Sequence, residues 1–169
     1  YQSTITTVET DTLIDASATL NGDGGEIVIW SDITNKNSVT TASGTLYAKG
    51  GSKGGDGGRI ETSGYKLITD GVSGAASSNF GVAGLWLFDP TNIEIGSSGS
   101  SADGTDDGSN LTASSINSLL NSGTSVTVTT QSSSSELGDL TVSSEINKSS
   151  GASDVTLTLR AANLIRIND

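Results

Sequence analysis

Three aspartates, Asp103, Asp106 and Asp107, form the densest set of hard oxygen donors in the chain. Clustered carboxylates suit calcium, but the spacing and the closing Glu of an EF-hand are missing, so a solvated acidic loop is the competing reading. Asp23 and Asp56 recur in matching Gly-Asp-Gly-Gly contexts, and Arg59 follows Asp56 closely. Carboxylates on successive turns of a solenoid, beside a basic residue, are how some polysaccharide lyases and hydrolases hold their substrates. Against an enzyme, both aspartates sit in turn motifs, where Gly supplies unusual dihedrals and Asp bonds its own backbone. The sequence also holds 0 His and 0 Cys, which removes the commonest general base, thiolate chemistry, disulfides and Cys-based metal sites. Trp30 is a candidate platform for a glycan, or else a cover for a neighbouring coil, whereas Trp86 is assigned to the core.

Charge narrows the partners. With a net charge of −11 the chain is a poor ligand for nucleic acid, whose phosphates need clustered Lys and Arg, and for anionic membranes. No apolar run approaches the roughly 18 residues of a membrane span, so no membrane insertion is expected. Tyr1 does not open a signal peptide, and an interior segment of a longer polypeptide is expected. Aromatic residues make up 4% of the chain and Met is absent, so the core must be thin and built from Val, Ile, Leu and Ala. That composition suits stacked strands better than packed helices.

The elements that position these residues follow from a repeat. Asn21-Gly-Asp-Gly-Gly-Glu-Ile27 returns as Lys53-Gly-Gly-Asp-Gly-Gly-Arg-Ile60, in which the aligned Gly22 and Gly55 are 33 residues apart. Upstream, residues 8–16 are echoed by residues 39–48. Short strands such as 26–30, with Ile27 and Ile29 on one face, lie between glycine corners. A recurring period of this kind signals a solenoid, because no unit buries its apolar face alone. The expected fold is all-β, a right-handed parallel β-helix with one short helix near 114–122.

The expected layout is glycine-rich coils over 1–83, a junction over 84–95, and a Ser/Thr-rich continuation over 96–169, together one structural domain. The junction, Gly-Leu-Trp-Leu-Phe-Asp-Pro-Thr-Asn-Ile-Glu-Ile, carries the only Pro. Leu85, Leu87 and Phe88 are expected to end a buried strand, and Asp89-Pro90 to turn the chain, since proline drives its predecessor out of the helical region. Residues 96–110 should form an exposed excursion. In the helix, Ile116, Leu119 and Leu120 share a face, Ser114 or Ser115 can cap its start, and Gly123 can end it. Three alternating strands follow, over 125–130, 154–160 and 164–168, with Ile165 and Ile167 facing inward.

Residues 54–64, 84–95, 114–128 and 154–165, taken in order, resemble the large exoproteins of two-partner secretion, the filamentous-haemagglutinin-like and high-molecular-weight adhesins of Gram-negative bacteria. The resemblance implies a right-handed parallel β-helix, export through an outer-membrane partner transporter, and a secreted or cell-surface role in adhesion, aggregation or biofilm structure. The family's Asn-Pro-Asn secretion motifs are absent from this chain. Some relatives carry hexose on Asn-X-Ser/Thr triplets, which here would mean Asn110 and Asn147, both in polar stretches expected to be exposed. The leading expectation is a non-enzymatic adhesive stalk with no required cofactor, which serves reach and display with no single site, has a host-cell or matrix glycan or receptor as its partner, and can stack end to end. A calcium- or glycan-binding module is the alternative, and a polysaccharide-acting enzyme a weaker one.

Overall fold

The computed structural model describes residues 2–98, 108–151 and 154–168. Within them the chain is mostly β, with three parallel sheets and one short helix. The first pass runs through β1 (Ile5–Val8), β2 (Leu13–Asp15) and β3 (Glu26–Trp30), one strand in each sheet. The second repeats it with β4 (Val39–Ala42), β5 (Thr45–Tyr47) and β6 (Arg59–Ser63), and the third with β7 (Lys66–Ile68), β8 (Ser73–Ala75) and β9 (Leu85–Asp89). Each strand pairs in parallel with its equivalent one pass later, so the passes form layers.

Strands of three to five residues suffice because alternate side chains point into a shared interior. In one sheet Ile27, Ile60, Trp86, Val126 and Leu157 share an inward column, and Ile29, Thr62, Phe88, Val128 and Leu159 form the next. Trp86 and Phe88 are fully buried, and their rings stack with centroids 5.4 Å apart. The indole N–H donates to Thr62 Oγ1 at 3.3 Å, so burial leaves no orphan donor there. Period two corrects the junction expectation: Trp86 and Phe88 face inward, while Leu85 and Leu87 point outward and are only half-buried. Pro90 then breaks the strand, and β10 (Ile93–Gly96) begins three residues later with Ile93 and Ile95 buried.

The corners carry the glycine repeat. Gly22 and Gly55 have φ of +118° and +125°, a region that disfavours side chains, and a Cβ on Gly55 would strike the Gly22 carbonyl. The 33-residue offset holds where Glu26 faces Arg59, but the next layer of that sheet is offset by 26 residues, Arg59 facing Leu85. Upstream the echo is shifted. Ile5, not Val8, lies opposite Val39, because the link from β1 to β2 is longer than the link from β4 to β5.

The fourth pass departs from the pattern. After β10 the chain returns as β11 (Asn110–Thr112), which lies between β7 and β10 in the seven-stranded sheet. Side chains complete this junction: Ser109 Oγ accepts from the Leu67 N–H at 3.0 Å, and Asn110 Oδ1 accepts from the Thr69 N–H at 2.8 Å. The helix α1 (Ala113–Asn121) then packs beside β8, where the third sheet would need a fourth strand. Its cap is Thr112, whose Oγ1 accepts from the Ser115 N–H at 3.0 Å, so Ser115 is the donor and not the cap. Gly123, at φ +83°, closes the other end with Thr124 N–H bonded to the Leu119 carbonyl and Gly123 N–H to that of Leu120.

The chain continues as β12 (Ser125–Thr129), β13 (Leu140–Val142), β14 (Leu157–Arg160) and β15 (Ile165–Ile167). Asn92 fixes the approach to β13, its Oδ1 accepting from the Gly138 and Asp139 N–H groups at 2.9 and 2.7 Å. Ile165 and Ile167 continue the inward columns of Leu140 and Val142, yet they are 40% and 72% exposed. They are inward-facing and uncovered at once, since β15 is an edge strand with no layer beyond it among the described residues.

Candidate functional site

The outward face of the five-stranded sheet gathers most of the chemistry-bearing side chains. Because register alternates, Glu26, Arg59 and Leu85 share one outward column, Val28, Glu61 and Leu87 the next, and Trp30, Ser63 and Asp89 the third. Arg59 bridges Glu26 at 2.7 Å and Glu61 at 2.5 Å. The hydrogen bond that Arg59 donates to Glu26, with both carboxylates nearby, raises the guanidinium further, so Arg59 stays charged and committed to its neighbours. Exposed pairs of this kind stabilise by about 1 kcal/mol or less, and Glu61 is the more enclosed of the two carboxylates.

Asp89 is the perturbed group on this face. Burial pushes its carboxyl up to about 6, opposed by a hydrogen bond from Gln131 Nε2 at 2.7 Å and reinforced by the Glu61 charge. Its Oδ1 is buried with no hydrogen-bond partner among the described residues. Sequence reasoning treated Asp89 only as the turn before Pro90. The available signal was an acid placed at the end of the most aromatic strand, where desolvation is greatest.

Asp23 and Asp56 do lie on successive layers, but they act on the backbone. Asp23 Oδ1 accepts from the Asp56 N–H at 2.7 Å, and Asp56 Oδ1 accepts from the Val82 N–H at 2.8 Å. Each carboxylate thereby ties its corner to the next. Arg59, the expected basic partner, points into the Glu26 and Glu61 pair instead. Trp30 is 51% exposed on the outward face of the edge strand β3, in register with the buried Ser63 of the next layer.

The two candidate glycosylation triplets separate. Asn110 is 6% exposed, with its amide bonded to the Thr69 N–H and to Asp70 Oδ2, so the expectation of an exposed acceptor there is corrected. The excursion ends earlier than residue 110 because Ser109 and Asn110 are needed inside the β7 to β11 junction. Asn147 is exposed, its N–H donating to Asn117 Oδ1 at 2.7 Å and its side chain free to face solvent apart from a long contact to Glu145. Asp103, Asp106 and Asp107 lie outside the described residues.

Among the described residues no three His, Cys, Asp or Glu side chains converge to hold a metal ion, and no helix is long and apolar enough to cross a membrane. A cavity of about 580 Å³ lies at the last layer between Val142, Ile146, Leu157, Leu159 and Ile167. Its walls offer burial, with Glu145 the only ionisable side chain among them. A second of about 220 Å³ separates β8 from α1. Searches against protein-family models and curated proteins return no match to this chain.

Proposed function

We propose that this chain is a stalk segment of a secreted bacterial adhesin, folded as a right-handed parallel β-helix and exported through an outer-membrane partner transporter to the cell surface. The observation that carries this reading is the unbroken parallel register of two sheets from the first layer to the last, with matched inward columns. Right-handedness follows from the strong preference of parallel crossovers for that hand. Stacking at about 4.8 Å per layer gives a stiff rod whose backbone ladders lie along its axis. Its conspicuous acids serve the scaffold: Asp23 and Asp56 hold corners, and Glu26 and Glu61 hold Arg59. Function is then reach and display, without catalysis.

The test is attachment by cells that display the polypeptide containing this segment. Deleting whole layers should shorten reach and reduce attachment, whereas Trp30→Ala and Asp23→Asn should leave attachment unchanged in folded protein. Attachment that survives layer deletion but is lost on a single surface substitution would refute the stalk. A glycan-binding module is the second reading, favoured by the exposure of Trp30 beside Ser63 and Asp89. In that case Trp30→Ala abolishes binding to a glycan array.

A further inference from the structure

We propose that residues 131–137, between β12 and β13, form a strap that closes over the outward end of the third layer in acid and loosens as pH rises, with Asp89 coupling the two. The proposal rests on the fold, not on what the chain displays. The strap, Gln-Ser-Ser-Ser-Ser-Glu-Leu, has no apolar anchor, because its single apolar side chain, Leu137, is 67% exposed. Hydrophobic burial therefore does little to hold it down, and its ties to the body are polar. The Gln131 N–H donates to the Pro90 carbonyl at 3.2 Å, and Gln131 Nε2 donates to Asp89 Oδ2 at 2.7 Å. Farther along, Ser135 Oγ lies 2.7 Å from the Tyr65 hydroxyl, and the Asn92 side-chain amide donates to Glu136. Tyr65 and Asn92 are each 4% exposed.

Closure takes water from a carboxyl that the fold compensates only in part. Gln131 serves one oxygen, whereas Oδ1 is buried with no hydrogen-bond partner among the described residues. The charges around it give the ionised form little help. Glu61 on β6 is a like charge, and Arg59 is already bound to it at 2.5 Å. Arg160 lies two strands along the same outward column, beyond Thr129. On the strap side Glu136 is bonded by Asn92, and Asp139 by Asn163. Burial above all holds the Asp89 carboxyl at about 6, against the Gln131 bond and with the Glu61 charge. Lifting the strap returns water to both oxygens and restores the ordinary carboxylate range. Protonation thus favours closure, whose stability is full below about pH 4 and is lost as pH rises through about 6. A gap of about two pH units bounds the change in the opening equilibrium at about a hundredfold, and solvent still reaching the carboxyl reduces it towards about tenfold.

Hydrogen exchange of the Gln131 amide, converted to a protection factor at pH 4 and at pH 7.5, tests this. The amide should exchange faster than that of Leu85, which bonds the Gly58 carbonyl inside the five-stranded sheet. Its protection should fall by at least about tenfold between the two pH values. Asp89→Asn should keep the higher protection at both. Tyr65→Phe, which removes the tie to Ser135, should lower protection by about fivefold at each pH and leave the ratio unchanged. Gln131 protection that does not change with pH, or that changes as much in Asp89→Asn, would overturn the coupling. So would a pH ratio abolished by Tyr65→Phe, because the tie and not the carboxyl would then carry it. Exchange at Gln131 no faster than at Leu85 would overturn the strap as a separately moving part.

Discussion

The first three layers and the later ones solve the same problem differently. In β1 to β9 each layer supplies one strand to each of three sheets, and glycine corners with aspartate ties hold neighbouring layers in register. From β10 onward the third sheet has no strand among the described residues, α1 takes its place once, and β11 adds an extra strand to the seven-stranded sheet. The early region therefore has interchangeable layers closed on three sides. The later one has individual fittings: the Asn92 bonds, the Ser109 and Asn110 zipper and a helix closed at both ends. Repetition makes a rod cheap to extend in sequence, and departure from it marks where the interior is plugged or left open.

The largest contrast should come from core truncation. Trp86→Ala removes a fully buried ring stacked on Phe88 and should cost about 3–5 kcal/mol. Leu159→Ala at the half-covered open end should cost about 1 kcal/mol by the same area argument, and urea midpoints of the two variants measure the difference. Equal costs would mean that the last layer is as closed as the third. At the corners, Gly55→Ala forces a side chain into a left-handed conformation against the Gly22 carbonyl and should lower stability by about 2–3 kcal/mol in thermal unfolding.

The outward face gives a smaller, pH-dependent effect. The Asp89 carboxyl sits at about 6 in the folded chain, against about 4 when unfolded, so the fold prefers it protonated. Its stabilising contribution is full below about pH 4 and is lost as pH rises through about 6. Asp89→Asn should remove that dependence and raise stability at pH 7 by about 1–2 kcal/mol after discounting for solvent screening, as read from paired melts at pH 5 and 7. A variant as pH-dependent as wild type between those values would place the burial elsewhere. Smallest is Thr112→Ala, which removes the cap accepting from Ser115 and should cost about 1 kcal/mol while loosening α1 in hydrogen exchange.

Much of this contrast was legible beforehand, for physical reasons. Alternation of apolar residues identified the inward columns of β3, β12 and β14, and the helix was visible from Ile116, Leu119, Leu120 and Gly123. The recurrent Gly-Asp-Gly-Gly located the stacked corners, because φ near +120° is nearly a glycine privilege. What stayed hidden depends on pairing over long separations. Nothing local tells Asn110 that it will fill a gap beside Thr69, so a polar stretch read as exposed is partly buried. The perturbation of Asp89 likewise comes from burial by the assembled layers and from the charge of Glu61 on a neighbouring strand, neither of which is local in sequence. The shifted match of Ile5 with Val39 arises from unequal corner lengths, which glycine-rich links specify weakly.

The central claim is that distant segments stack in one parallel register, and a pair of spin labels tests it directly. Val28 and Thr158 lie in one outward column, linked through Glu61, Leu87 and Thr127. Four strand spacings should place their backbones about 19 Å apart, so labels at the two positions should give one narrow distance distribution near that value. A distribution that is broad, or centred far from it, would contradict the layered register and the stalk built upon it.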